Sequence, residues 1–225
     1  GLLALNMRDD AAMEAFFLDH PEYASYSTTI RINANLLADL ATKGNQSTVI
    51  LEKLQIEALR ILGLDATFEK MKDYIENGIV SIDEVDKIRA TVGGEANVKG
   101  IIAQDSMLTL MENESLLFPV KYYEGDELKS KMAPVDTNNI LFIAAGAFEE
   151  LYKMVFDRVT DPRAKNPLKA MLVKRPDGTL KRKLIFRLRE HIAHEDLFAY
   201  GMAPQFVARF ESVVILEDLS PETLV

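Results

Sequence analysis

The sequence predicts an α/β fold, a three-layer sandwich whose mostly parallel central sheet is flanked by helices and which carries an inserted β-hairpin. Three observations carry that expectation. Two short apolar runs, Ile79 to Ile82 and Asn139 to Gly146, are continuous rather than alternating, the pattern of strands covered on both faces. Strand-like segments take turns with segments of helical period along the chain. Between Lys169 and Arg187, two extended basic segments flank Pro176-Asp177-Gly178, a turn sequence that reads as a hairpin inserted between elements.

Taken in order, residues 9–18 form a helix candidate mixing Ala11, Ala12, Met13, Ala15, Phe16 and Phe17, closed by Pro21. Tyr26 to Ile32 is β-branched and alternating, so it reads as a strand. Asn33 to Leu40 is helical or loop-like, and Ala41 to Ser47 is a polar loop. Ser47 or Thr48 can cap a helix whose broad stripe is Val49, Ile50, Leu51, Leu54, Ile56, Leu59, Ile61 and Leu62, ended by Gly63. A second helix, Thr67 to Glu76, leads through Asn77-Gly78 into the first apolar run. After Ile88 comes a polar, glycine-containing stretch with Gly93-Gly94 and Gly100 that reads as mobile. Ile101 to Met111 is an amphipathic helix, and a short hairpin turns at Glu124-Gly125-Asp126. Phe148 to Asp157, His194 to Tyr200 and Pro204 to Phe210 are further helices, with Val213 to Leu216 as a last strand.

With 225 residues the chain can bury a substantial core, and its 48% apolar and 27% charged content is that of an ordinary globular protein. The net charge of −9 argues against general binding to nucleic acid or to an anionic membrane surface. No cysteine is present, which excludes a disulfide framework or a thiolate metal site and fits a reducing, cytoplasmic setting. His191 and His194 can share a helix face, but no third zinc ligand accompanies them, and exposed polar residues are the simpler reading. No run of about 18 apolar residues suggests a membrane span, and the opening five residues are too short for a signal peptide.

The chemistry-bearing stretch is Gly78-Ile79-Val80-Ser81-Ile82-Asp83-Glu84-Val85-Asp86-Lys87-Ile88, an apolar strand that runs into three acids within four residues. Open α/β sheets bind ligands beyond the carboxyl ends of their strands. Carboxylates there can hold a metal ion and orient a water for phosphoryl transfer. A strand running into a solvated acidic turn explains the same residues. Both readings stand on this stretch alone.

Two further segments join it. Asn139 to Phe148 follows an apolar strand into a turn, and Glu195 to Phe210 contains Gly201-Met202-Ala203-Pro204-Gln205-Phe206-Val207-Ala208-Arg209. In this order the three segments resemble the Walker B strand, the sensor-1 strand and the arginine-finger segment of AAA+ ATPases, within them the ClpX and HslU type of protein unfoldase. Ala103 to Glu112 is similar to the helix after that group's second pore loop. The resemblance covers the chain from about Tyr26 to the C-terminus, and it implies roles. Asp83 would ligate Mg²⁺ at the phosphates of ATP, Glu84 would polarise the attacking water, and Arg209 would reach in trans into a neighbouring subunit's site. Without its flanking match, Arg209 reads as a salt-bridging surface arginine. Asp86 and Lys87 read as structural or interface charges. A trans arginine implies a ring, a homo-hexamer by analogy, acting on a polypeptide substrate and coupled in some members to a partner protease.

The sequence also departs from that pattern. No Gly-x-x-x-x-Gly-Lys-Ser/Thr loop precedes the strand Tyr26–Ile32, and the family's small helical domain would begin where the chain stops. Residues 1–225 are therefore expected to be a single, truncated large domain. At the first pore-loop position, Thr42-Lys43-Gly44 keeps only the glycine of an aromatic-aliphatic-glycine grip, and Ala145 stands where a polar sensor-1 residue is common. The resemblance thus implies an ATPase of an unfoldase-like ring, or a degenerate module acting as a scaffold or regulatory subunit. An unrelated α/β enzyme using the same carboxylates would leave the Arg209 segment unexplained.

Overall fold

The computed structural model describes residues 28–44, 46–112, 115–164, 167–174, 176, 178–210 and 212–216. The helix expected at 9–18 lies outside these residues, as do Tyr26 and Ser27. The chain divides into two compact units, 1–147 and 148–225.

The first unit is built on a three-stranded parallel sheet, β1 (Thr29–Asn33), β2 (Ile79–Asp83) and β7 (Leu141–Ala144), in the order β1-β2-β7. The sheet is α/β in type, parallel and flanked by helices, as the alternation of elements predicts. β1 buries Ile30 and Ile32 and exposes Arg31 and Asn33, so its alternation is that of a strand with one covered face. β2 is central and buries Val80, Ser81 and Ile82 in succession, so both of its faces are covered. β7 departs from expectation: it borders the described sheet rather than filling its middle, and Leu141 is 41% exposed.

Between β1 and β2 lie α1 (Ala34–Ala41), α2 (Gln46–Leu62) and α3 (Phe68–Glu76). Asn33 caps α1, its side chain accepting from the Asn35 N–H at 2.9 Å. α2 begins one residue before Ser47, so neither Ser47 nor Thr48 is its cap. It buries Ile50, Leu51, Leu54, Gln55 and Ala58, a stripe of helical period. Ile56, counted with that stripe in the sequence, falls on the opposite face and is 64% exposed. Gln55 Oε1 accepts the Lys121 N–H at 2.6 Å, tying α2 to β5 (Ser115–Glu124). Thr67 caps α3, which presents Met71 and Ile75 to the core. Gly78 lets β2 begin hard against α2, since a Cβ there would sit 2.6 Å from Leu54 Cδ2.

Between β2 and β7 the chain forms a one-turn 3₁₀ segment (Val85–Ile88), a small hairpin, α4 (Val98–Met111) and a long hairpin. The small hairpin is β3 (Thr91–Val92) with β4 (Glu95–Ala96), in the glycine-containing stretch after Ile88. Gly93 and Gly94 supply the positive φ at both central turn positions, +60° and +87°. In the long hairpin β5 pairs in register with β6 (Glu127–Asp136) around Gly125-Asp126, well beyond the extent read from sequence. Its inner face buries Phe118, Val120, Ala133 and Val135, and Tyr122 meets Phe68 of α3 edge-on at 5.4 Å.

The second unit holds α5 (Leu151–Thr160), a hairpin of β8 (Met171–Lys174) and β9 (Leu180–Lys183), and the helices α6 (Leu188–His191), α7 (His194–Tyr200) and α8 (Pro204–Val207). α5 starts later than Phe148, which is itself held at φ 46°. Arg158 of α5 grips Asp196 of α7 with two hydrogen bonds, 2.6 and 2.7 Å, and donates to the His191 carbonyl at 2.7 Å. That partnership pushes the Arg158 pKa up. Phe186 packs edge-on against Tyr152 and Phe156 and stacks on His191. The expected hairpin at 169–187 is present, and all eight of its strand residues are exposed. The last expected strand, Val213–Leu216, is corrected: these residues pair with no strand among those described, and Val213, Val214 and Leu216 are at least half exposed. An apolar run becomes a strand only where a partner satisfies its backbone.

Candidate functional site at the carboxyl edge of the sheet

Parallel register brings the site together. Asn33 stands opposite Asp83, and Arg31 opposite Ser81, so Arg31, Asn33 and Asp83 project from the same face. The Arg31 guanidinium forms an ion pair with Asp83 Oδ2. One residue later the strand alternation would send Glu84 to the other side. Glu84 instead adopts the left-handed conformation, φ 58° and ψ 37°, and its Oε2 accepts from Asn33 Nδ2 at 2.7 Å. Its own N–H donates to Asp83 Oδ1 at 3.0 Å. A non-glycine residue in this region carries strain of roughly 1–2 kcal/mol, and here the strain places two carboxylates side by side above β1.

The surrounding backbone fixes this edge. The Ala145 N–H donates to the Ile82 carbonyl at 2.8 Å, and the Ala145 carbonyl accepts the Val85 N–H at 2.9 Å, so the end of β7 clamps the residues on both sides of Asp83-Glu84. Ala145 therefore contributes through its backbone, whatever its side chain lacks. The Val85–Ile88 turn packs against α1 and α4. Asn97 caps α4 and donates to the Arg89 carbonyl at 2.8 Å, while Gln104 donates to the Ile88 carbonyl at 2.7 Å. A Cβ on Gly100 would stand 2.0 Å from the Arg89 oxygen, so only glycine lets α4 approach the turn this closely. Asp86 is buried and pairs with Lys87 at 3.1 Å, a structural charge as expected.

Thr42-Lys43-Gly44 forms the exposed turn that ends α1. Thr42 Oγ1 donates to the Asp39 carbonyl at 2.8 Å, and Gly44 has φ +69°. The glycine at this position is thus required by the helix exit itself. Arg209 is exposed and follows α8, with its N–H on the Phe206 carbonyl at 3.2 Å. It belongs to the second unit, whereas Asp83 and Glu84 belong to the first. Gly201 (φ 112°) closes α7 and Pro204 opens α8, so the sequence features flanking Arg209 are those that set its local backbone.

Arg31 and Asn33 were not singled out in the sequence. The signal was there in part: both fall on the polar positions of an alternating strand. Which strand they face, and in what register, is tertiary information.

A magnesium ion fits this donor set. Mg²⁺ is held through one or two carboxylates together with waters and substrate phosphates rather than by an all-protein cage. Asp83 and Glu84 offer hard oxygens on one edge. No larger group of His, Cys, Asp and Glu able to hold a metal occurs among the described residues. His191 and His194 accordingly have no third ligand there.

The described sheet is parallel and flanked by helices, an α/β architecture with a carboxylate pair beyond its central strand. The chain belongs to the AAA domain family (Cdc48 subfamily), which matches residues 27–213. It is similar to the "ATP-dependent Clp protease ATP-binding subunit ClpX 3" of Methylococcus capsulatus, 31% identical over 163 residues, covering 67% of this chain and 34% of that protein. It is likewise similar to the "ATP-dependent Clp protease ATP-binding subunit ClpX" of Azotobacter vinelandii, 30% identical over 150 residues, 65% of this chain and 32% of that protein. The chain spans about a third of the length of these relatives. No helix among the described residues is long and apolar enough to cross a membrane.

Proposed function

We propose that this chain is the catalytic portion of an ATP-hydrolysing protein-remodelling machine, with Asp83, Glu84 and Arg209 as its chemistry. The observation that carries the reading is the strained, cross-strand-held carboxylate pair: Glu84 sits at φ 58° and is held by Asn33. A fold that served only to end a strand has no need to swing Glu84 back over β1 at this cost. The family match across 27–213, and the ClpX-type relatives, support ATP as substrate and a polypeptide as cargo. The match extends over both compact units, which supports reading them as parts of one large domain.

In this reading Asp83 holds the metal, which when bound neutralises charge on the phosphate oxygens. Glu84 accepts the proton of the attacking water at a carboxylate oxygen, and the Asn33 amide fixes the orientation of that carboxylate. Arg209, exposed after α8, reaches the transferring phosphoryl group of a neighbouring subunit in a homo-hexameric ring and offsets its developing charge. Thr42-Lys43-Gly44 lines the substrate path with little grip, since Thr42 and Lys43 stand where the grip has an aromatic and an aliphatic side chain. A partner protease would be engaged through surfaces that these residues do not define.

The test is ATP turnover by the ring-forming protein that carries these residues. Glu84→Gln should lower turnover at least about a hundredfold and leave assembly intact by sedimentation. Unchanged turnover removes Glu84 from the reaction. One observation favours a second reading, a scaffold or regulatory AAA module: at the first pore-loop position Thr42-Lys43-Gly44 keeps only the glycine of the substrate grip. Calorimetry with ATP and Mg²⁺ separates the two, because micromolar affinity excludes a module that has lost its nucleotide.

A further inference from the structure

Each carboxylate of the pair has its own partner on β1: Asn33 for Glu84 and Arg31 for Asp83. The two partners differ in kind. Asn33 is neutral and leaves Glu84 its charge. Arg31 is a cation, and it occupies the Oδ2 atom of the same aspartate that the proposed function assigns to the metal. Glu84's N–H already occupies Oδ1. A divalent ion and a guanidinium cannot share that carboxylate without strong repulsion at ion-pair distance.

We propose that Arg31 is a built-in counter-ion of Asp83 that a divalent cation must displace, which makes it a positioning residue that sets the metal affinity of the site. The inference rests on the reading of Asp83 as the metal ligand. Physically, two adjacent ionised carboxylates at a strand end repel each other and call for a cation. Arg31 supplies one until the metal arrives. The exchange is easy because the pair is open to solvent: the Arg31 side chain is 46% exposed and that of Asp83 35%. An exposed pair of this kind is weak, so displacing it should lower metal affinity by a factor of about two to five.

The experiment is titration with Mn²⁺ alone, free Mn²⁺ being read by its electron paramagnetic resonance signal, so that no turnover is needed. Arg31→Gln should bind Mn²⁺ about two- to fivefold more tightly than the unaltered protein. Arg31→Lys, which keeps the charge, should stay close to the unaltered protein, and Asp83→Asn should abolish binding in either background. Thermal melting monitors the fold of each variant, and the exposed Arg31 side chain makes its loss a small perturbation. If Mn²⁺ binds through Asp83 but Arg31→Gln binds no more tightly, the counter-ion role fails and the metal-site reading survives. If binding is absent, or indifferent to Asp83→Asn, Asp83 does not hold a divalent ion on its own and the counter-ion role of Arg31 fails.

Discussion

Replacing Glu84 with glycine tests whether the site is held against a backbone penalty. The residue sits at φ 58°, ψ 37°, where a side chain carries strain of roughly 1–2 kcal/mol. Glycine removes that strain but adds roughly 0.5–1 kcal/mol of chain entropy to be lost on folding, for a net gain of about 0.5–1 kcal/mol. The substitution also deletes the Asn33–Glu84 hydrogen bond of 2.7 Å, about 1 kcal/mol for an exposed pair. Glu84→Gly alone should therefore leave stability almost unchanged. In an Asn33→Ala background the hydrogen bond is already gone, and the same change should stabilise by about 0.5–1 kcal/mol. Asn33 also caps α1, but that loss is common to both Asn33→Ala proteins and cancels in the cycle. Urea unfolding followed by circular dichroism gives the four free energies. A destabilisation by Glu84→Gly of more than about 0.5 kcal/mol in the Asn33→Ala background would refute the strain argument.

Other consequences concern the scaffold. Gly100→Ala should destabilise by at least about 2 kcal/mol, because its Cβ would meet the Arg89 carbonyl at 2.0 Å; Gly93→Ala, with open space around a φ of +60°, should lose only about 1 kcal/mol in the same urea series. Asp196→Ala strips Arg158 of both hydrogen bonds and leaves the Ala193 N–H without its acceptor, so melting should report a loss of about 2 kcal/mol with Mn²⁺ binding unchanged. Asp136 is held below the usual carboxylate range by hydrogen bonds from Asn138. A depressed folded value means that its contribution is present above the unfolded value and is lost as pH falls through the folded one. Asp136→Ala should therefore flatten the acid limb of stability below about pH 4, read from urea midpoints across pH.

The sequence alone determined the pieces that depend on local chemistry. β2 was readable because a central parallel strand needs both faces apolar, and the hairpins at 124–127 and 171–183 because glycine and proline mark turns. α7 was readable to the residue because a left-handed Gly201 ends it. The acids Asp83 and Glu84 were visible as residues. Pairing decided the rest. Val213–Leu216 has strand composition but no partner strand among the described residues, while the short segments on either side of Gly93-Gly94 do pair, since a strand exists only where another satisfies its hydrogen bonds. The same holds for the site. Nothing local to Arg31 and Asn33 distinguishes them from other polar residues on an alternating strand. The register Asn33↔Asp83, with the left-handed turn of Glu84, makes them partners of the two carboxylates. Register is set by the packing of α1, α2 and α3 between the strands, a long-range property that no window of sequence contains.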